Sequence, residues 1–174
     1  MTAPPRARVP ASEPVRAAIV TVSTSKSRGE GEDESGERLA AFASRVGAEI
    51  AGREVIPDDR ELIAERLRHW ADAEGCALVL TSGGTGFAPT DVTPEATRAV
   101  IEREAPGIAE AMRVASRDRA RHWMLSRAVA GIRGSTLIVN FPGSPASIPE
   151  AGEAIAGSLP HALALLAGEQ HGHD

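Results

Sequence analysis

The chain has one cysteine, Cys76, in 174 residues. That excludes an internal disulfide and any cysteine-based zinc site. Its place just before Ala77-Leu78-Val79-Leu80 marks it as a small core side chain rather than a nucleophile. Aromatics are scarce, with three Phe, two Trp and no Tyr, which argues against a stacking-rich nucleic-acid surface. A net charge of −5 supplies no basic footprint for a phosphate backbone, so no nucleic-acid partner is expected. Lysine is nearly missing, one against 18 arginines, a bias of composition rather than an arginine code. No stretch approaches the ~20 apolar residues of a membrane span, so no membrane partner is expected. Residues 1–14 are rich in Pro, Ala and Ser and lack the apolar core of a signal peptide. They are expected to be a disordered lead-in to a cytoplasmic protein, and residues 169–174, ending His171-Gly172-His173-Asp174, a frayed tail.

What remains, residues 15–168, is long enough for one sizeable domain. Val15 to Val22 is an apolar run of strand length, suited to a sheet covered on both faces. Ser23 to Ser35 is polar and charged and reads as a loop. Gly36 to Val46 has a helical period, with Gly47 placed to end it. Glu49 to Ile56 reads as a second strand. A helix follows from Pro57-Asp58-Asp59, with Asp58 or Asp59 as cap and Leu62, Ile63, Leu67 and Trp70 on its apolar face. Ala77–Thr81 is a third strand. A helix is predicted over Pro94 to Glu104, broken at Pro106-Gly107 and resumed from Ile108 to Ala115. Leu125 to Ile132 and Thr136 to Val139 read as strands around a Gly134 turn, and two short helices close the chain. Strands alternating with helices indicate a three-layer α/β/α fold with a mainly parallel central sheet.

Residues 81–97, TSGGTGFAPTDVTPEAT, carry the strongest functional signal. A strand runs into a glycine-rich turn, Ser82-Gly83-Gly84-Thr85-Gly86, then a carboxylate, Asp91, and a helix start at Thr93-Pro94-Glu95. Glycines let backbone N–H groups approach an anion closely, and a helix N-terminus adds donors and a positive dipole end. A carboxylate beside an anion site makes chemical sense when a divalent cation sits between them. No Gly-Lys-Ser/Thr follows, so this is no P-loop, and the spacing is not that of a dinucleotide fingerprint. Further polar turns follow other strands: Ser23, Asp58, and Asn140-Phe141-Pro142-Gly143-Ser144-Pro145. In parallel sheets ligands gather at the carboxyl ends of strands, where all four turns belong.

On VTVS at Val20–Ser23, VIPD at Val55–Asp58, TSGGTGFAPTDVTPEAT, MLSR at Met124–Arg127, AGIRGST at Ala130–Thr136 and NFPGSP at Asn140–Pro145, the chain resembles the Mog/MoaB family of molybdenum cofactor biosynthesis proteins. The G domains of gephyrin and plant Cnx belong to the same family. The resemblance runs from about Val15 to Gly168. It implies adenylylation of molybdopterin with ATP and Mg²⁺, with release of pyrophosphate, and a homotrimer, a hexamer being the alternative. A separate insertase activity, a prospective partner, charges the product with molybdate. The resemblance makes Asp58 and Asp91 the essential acidic residues and ligands of Mg²⁺, direct or through water. It places Ser23, Ser82, Ser116, Ser126 and Asn140 at the pterin or nucleotide. Gly83, Gly84, Thr85 and Gly86 form the phosphate cradle, and Pro142, Gly143 and Ser144 the second ligand turn. Some MoaB-type relatives bind molybdopterin without clear transferase activity, which is the rival reading. At the position after Ser23 the family commonly has Asp or Asn, and this chain has Thr24.

Each site residue also has an ordinary use. Asp58 after Pro57 is a standard helix cap. Ser126 reads as a surface hydroxyl, Asn140 as a turn former, and Arg127 as partner to a phosphate or to a carboxylate. Phe87 and Phe141, one beside each turn, are expected to pack in the core.

Overall fold

The computed structural model describes residues 13–169. The expectations for residues 1–12 and for the His-containing tail lie outside them. Six strands form one sheet in the order β2-β1-β3-β6-β5-β4. β1 (Val15–Val22), β2 (Ala48–Ile56), β3 (Leu78–Ser82) and β6 (Thr136–Phe141) are mutually parallel. β5 (Ala130–Arg133) and the two-residue β4 (Arg103–Glu104) pair antiparallel at one edge.

The period-two alternation of β1 splits the core in two. Ala17 and Ile19 face α2 (Glu34–Arg45), α5 (Pro106–Ala115), α6 (Ile148–Ala156) and α7 (Leu159–Leu166), joining Leu39, Phe42, Met112, Ile148, Ile155 and Leu163. Ala18, Val20 and Val22 face α3 (Arg60–Arg68) and α4 (Thr93–Arg98), joining Ile63, Leu67, Trp70 and Ala96. The result is the three-layer fold expected from the sequence. Among the described residues no helix is long and apolar enough to cross a membrane.

This topology positions the site. The chain leaves β1 for β2 on one side and then crosses to β3 on the other, so the loops after β1 and β3 part at a switch point. Because four strands are parallel, the turns after Val22, Ile56, Ser82 and Phe141 all open at one end of the sheet.

Several boundaries differ from the sequence reading. The 23–35 segment is not all loop: α1 (Thr24–Ser27) begins right after β1, and α2 already starts at Glu34, capped by Asp33. α4 ends at Arg98 rather than at residue 104, because Val100 and Ile101 turn into the half of the core that faces α3 and α4, and Glu102 N–H bonds Ile132 O at 2.8 Å. Pro106 opens α5 instead of breaking a helix, since proline's missing N–H is no loss in a first turn. The strand expected from Leu125 starts only at Ala130; residues 123–125 form a 3₁₀ turn and Arg127 N bonds Thr85 O at 2.8 Å. β6 in turn runs on through Asn140 and Phe141, which pair with Thr81 and Ser82. Gly47 ends α2 with φ +90°, as expected.

Candidate functional site

The glycine loop after β3 is built for close approach. Gly83 and Gly84 have φ of +98° and +66°, a region L-residues avoid. A Cβ at Gly83 would strike the Val22 carbonyl oxygen, and one at Gly84 the Thr93 hydroxyl. Thr93 holds this shape: its Oγ1 donates to Gly83 O (2.9 Å) and its N–H to Gly84 O (3.1 Å). The helix start that the sequence sets beside the turn is therefore a buttress. α4 is only six residues long, and its first residue is already bonded to the loop.

The second turn is stitched to the first. Ser82 Oγ donates to Pro142 O at 3.0 Å, and a Cβ at Gly143 would lie 3.2 Å from Gly83 Cα. Ser35, at the start of α2, donates to Gly143 O at 2.9 Å. Ser144 precedes a 3₁₀ turn over Pro145–Ser147 and is exposed. Ser82, Gly83 and Gly143 thus stand together.

Two carboxylates flank the loop. A Cβ at Gly84 would lie 3.4 Å from Asp58 Oδ1, and a Cβ at Gly86 would lie 2.8 Å from Asp91 Oδ2. At Gly86 the carboxylate oxygen takes the space a Cβ would need, whereas at Gly84 the Thr93 hydroxyl takes it and the Asp58 oxygen stands in contact beside it. Asp58 is not the cap of α3; Asp59 is, accepting from Leu62 N at 3.0 Å. Asp58 Oδ2 instead accepts from Thr24 N–H (3.0 Å) and Thr24 Oγ1 (2.8 Å), and Asp58 N–H donates back to Thr24 Oγ1 (3.0 Å). The residue that departs from the family pattern is thus the partner of the first carboxylate. Asp91 Oδ2 accepts from Ala88 N–H at 3.0 Å and closes the 88–91 turn. Among the described residues no cluster of three or more His, Cys, Asp or Glu side chains is gathered. A Mg²⁺ ion that arrives with substrate phosphates needs only one or two carboxylates, which is the donor set at this loop.

Ser116, Ser126 and Pro142 line a pocket of about 330 Å³, with Met112, Arg113 and Trp123 among its walls. Ser116 Oγ donates to Met112 O (3.4 Å) and Ser126 Oγ accepts from Ala128 N–H (3.4 Å). Ser23 caps α1, its Oγ accepting from Lys26 N–H at 3.3 Å. Asn140 is fully buried in β6. Its Oδ1 accepts from Val129 N–H (3.1 Å), and its Nδ2 donates to Thr81 Oγ1 (3.0 Å) and Thr97 Oγ1 (2.9 Å). Its side chain therefore ties three elements together below the turns. Phe141 packs in the core on Phe42, with ring centroids 5.5 Å apart, whereas Phe87 is 68% exposed at the loop tip, contrary to the expectation of core packing.

Arg127 is engaged by protein groups. Its Nε donates to Gly86 O (2.7 Å), one Nη to Asp91 O (2.7 Å), and the guanidinium pairs with Glu95 on α4. One side chain thus pins both ends of the 86–91 loop to the helix behind it. The hydrogen bond from Arg127, chiefly, holds the Glu95 carboxyl below its ordinary range. A depressed carboxyl contributes stability above its unfolded-state pKa, lost as pH falls through the folded value. Both side chains are about a third exposed, so water screens the pair and most of the effect lies in the two backbone carbonyls. Arg127→Met is expected to lower stability by about 1–2 kcal/mol. Urea midpoints measured from neutral pH into the acid range should also fall less steeply for the variant. A variant curve parallel to the parent's would refute the role given to the pair.

The sequence reading missed Ser35 and Thr97, and it noted Thr24, Thr93 and Glu95 without giving any of them a role at the site. The available signal was hydroxyls standing at otherwise apolar positions, as Thr97 does in α4, where it is fully buried.

A family model described as "Probable molybdopterin binding domain" matches residues 18–161. The chain is 37% identical over 156 residues to the Drosophila melanogaster molybdenum cofactor synthesis protein cinnamon, covering 88% of this chain but only 26% of that protein. The chain thus spans about a quarter of that relative's length. It is 38% identical over 152 residues to a molybdopterin adenylyltransferase of Helicobacter pylori, 86% of each chain. Among solved structures, the molybdopterin biosynthesis enzyme MoaB of Thermus thermophilus superposes with a TM-score of 0.83 at 46% identity, covering 89% of this chain and 98% of that one.

Proposed function

This chain belongs to the family of the probable molybdopterin binding domain, and on that premise we propose that it is a molybdopterin adenylyltransferase. It would join the phosphate monoester of molybdopterin to the adenylyl group of ATP and release pyrophosphate. The observation that carries this reading is the pair Asp58 and Asp91, each with a carboxylate oxygen set against a glycine of the same loop.

The nucleophile is the substrate's own phosphate oxygen, which bonds to the α-phosphorus of ATP as the bond to the leaving pyrophosphate breaks. No activated Ser or Cys is required. The protein's work is to bring two polyanions together and hold them in line. Mg²⁺ would supply charge neutralisation on the phosphates and on the leaving group. Asp58 and Asp91 are the residues that would hold it, Asp58 through Oδ1 and Asp91 through the oxygen not engaged by Ala88. Gly83, Gly84, Thr85 and Gly86 offer backbone to phosphate oxygens without side-chain obstruction. Gly143 and Ser144 close the other wall, and the pocket of Ser116 and Ser126 suits the heterocycle. Ser23 and Asn140 act by fixing α1 and the strand ends.

ATP as co-substrate fits a cytoplasmic reaction. A homotrimer or a hexamer would cover exposed apolar side chains such as Val114 and Met124. An insertase is the partner such a product calls for, and the length of cinnamon beyond the matched quarter is room for such an activity in one polypeptide. The MoaB-type carrier reading uses the same pocket but predicts no chemistry. Purified protein given molybdopterin, ATP and Mg²⁺ is expected to release pyrophosphate in step with adenylyl-molybdopterin. Tight pterin binding with no pyrophosphate would favour the carrier.

A further inference from the structure

We propose that Thr24 is a positioning residue for Asp58, fixing which of its carboxylate oxygens is presented to the glycine loop; this rests on the transferase reading for its consequence but not for its geometry. Asp58 Oδ2 receives two hydrogen bonds from Thr24, from N–H at 3.0 Å and from Oγ1 at 2.8 Å. The same hydroxyl accepts from Asp58 N–H at 3.0 Å. A hydroxyl has one proton to give and lone pairs to receive, and here both functions go to one residue. The ring so closed fixes the backbone and the side chain of Asp58 together. It leaves Oδ1 on the side of Gly84, 3.4 Å from where a Cβ there would be.

The anchorage of Thr24 is itself firm. Ser23 N–H bonds Ile56 O at 2.8 Å, continuing the β1–β2 ladder one residue past the strands. Ser23 Oγ then caps α1, in which Thr24 is the first residue. The ends of two neighbouring strands are thereby locked in register before the carboxylate leaves the second. A carboxylate on a two-bond side chain rotates unless something holds one oxygen, and a metal ligand left to rotate binds weakly. Loss of an outer hydrogen-bond partner to a metal-binding carboxylate typically lowers metal affinity or activity ~10–100-fold.

Thr24→Val keeps the branched shape and the backbone N–H bond and removes only the hydroxyl. Thr24→Ser restores it. Two readouts are paired: binding of Mn²⁺–ATP followed by the electron paramagnetic resonance of Mn²⁺, which needs no turnover, and pyrophosphate release titrated with Mg²⁺. Thr24→Val is expected to weaken Mn²⁺–ATP binding ~10-fold or more and to raise the Mg²⁺ needed for half-maximal rate by a similar factor. Its molybdopterin binding and unfolding midpoint should stay close to the parent's, and Thr24→Ser should return both metal readouts to within about threefold. Parental Mn²⁺–ATP binding by the valine variant would overturn the proposal. So would a serine variant as impaired as the valine one, or a valine variant whose metal defect is matched by loss of fold. If the parent binds Mn²⁺–ATP through this pair yet releases no pyrophosphate, the transferase reading fails and the role of Thr24 stands.

Discussion

Asp91→Asn is expected to lower adenylyl transfer at least ~100-fold while leaving the fold and molybdopterin binding close to the parent's. The substitution is clean because of what Asp91 does locally. Its Oδ2 accepts from Ala88 N–H at 3.0 Å, and its backbone carbonyl accepts from Arg127 at 2.7 Å. An asparagine keeps one side-chain oxygen for the turn and the same carbonyl for Arg127. What is lost is the negative charge and the second oxygen, which becomes an amide NH2. If that charge serves the 88–91 turn alone, the rate should barely move, because a neutral amide oxygen closes such a turn nearly as well. If it holds an ion between two polyanions, the rate falls while ground-state binding of the pterin survives. Asp91→Ala would confound the two by opening the turn as well. Pyrophosphate release, a pterin titration and a thermal midpoint on the same preparation separate the cases. Turnover by the asparagine variant near the parental rate would remove Asp91 from the mechanism and leave Asp58 as the candidate ligand.

The sequence made the layers, the parallel core of the sheet and the gathering of four turns at one end legible, because these follow from apolar runs and glycine positions that need no tertiary information. It was poorer wherever a long-range partner decides. The helix period carried on past Arg98, but Glu102 finds Ile132 across the sheet and the helix stops. Leu125 to Val129 reads as strand by composition, yet this segment runs along the glycine loop, with Arg127 bonded to it by backbone and side chain. Asp58 and Asp59 are adjacent and chemically alike, so capping signals could not divide their roles and only the resemblance singled out Asp58; the structure gives the cap to Asp59 and sets Asp58 beside the loop. Thr24 stood out only as a departure from a pattern. Its bond to a residue 34 positions away is a fact of strand order, since β1 and β2 are neighbours.

Asn140 is where the sequence motif and the structure diverge most, and it carries the largest stability prediction. Read as part of NFPGSP, it looked like a turn residue facing a ligand. In the fold it is the fifth residue of β6 and fully buried, with Val129 N–H, Thr81 Oγ1 and Thr97 Oγ1 around its amide. Among the described residues every buried side-chain nitrogen and oxygen has a partner. Asn140→Leu preserves volume but strips three groups of a partner at once, in a place water does not reach. With about 1–3 kcal/mol for each buried group left unsatisfied, and some relaxation of the two threonine hydroxyls, the expected loss is about 3–5 kcal/mol. Thr97→Val alone should cost less, and in the double variant the two effects should fall short of additive, because the same bond is removed twice. Denaturant midpoints for the four proteins of that cycle test this directly. A ligand role predicts the opposite pattern: midpoints near the parent's, additivity, and molybdopterin binding lost in Asn140→Leu at temperatures where it is fully folded. The geometry favours the first outcome, since both N–H groups and the oxygen of the Asn140 amide are engaged by protein groups and the side chain is fully buried.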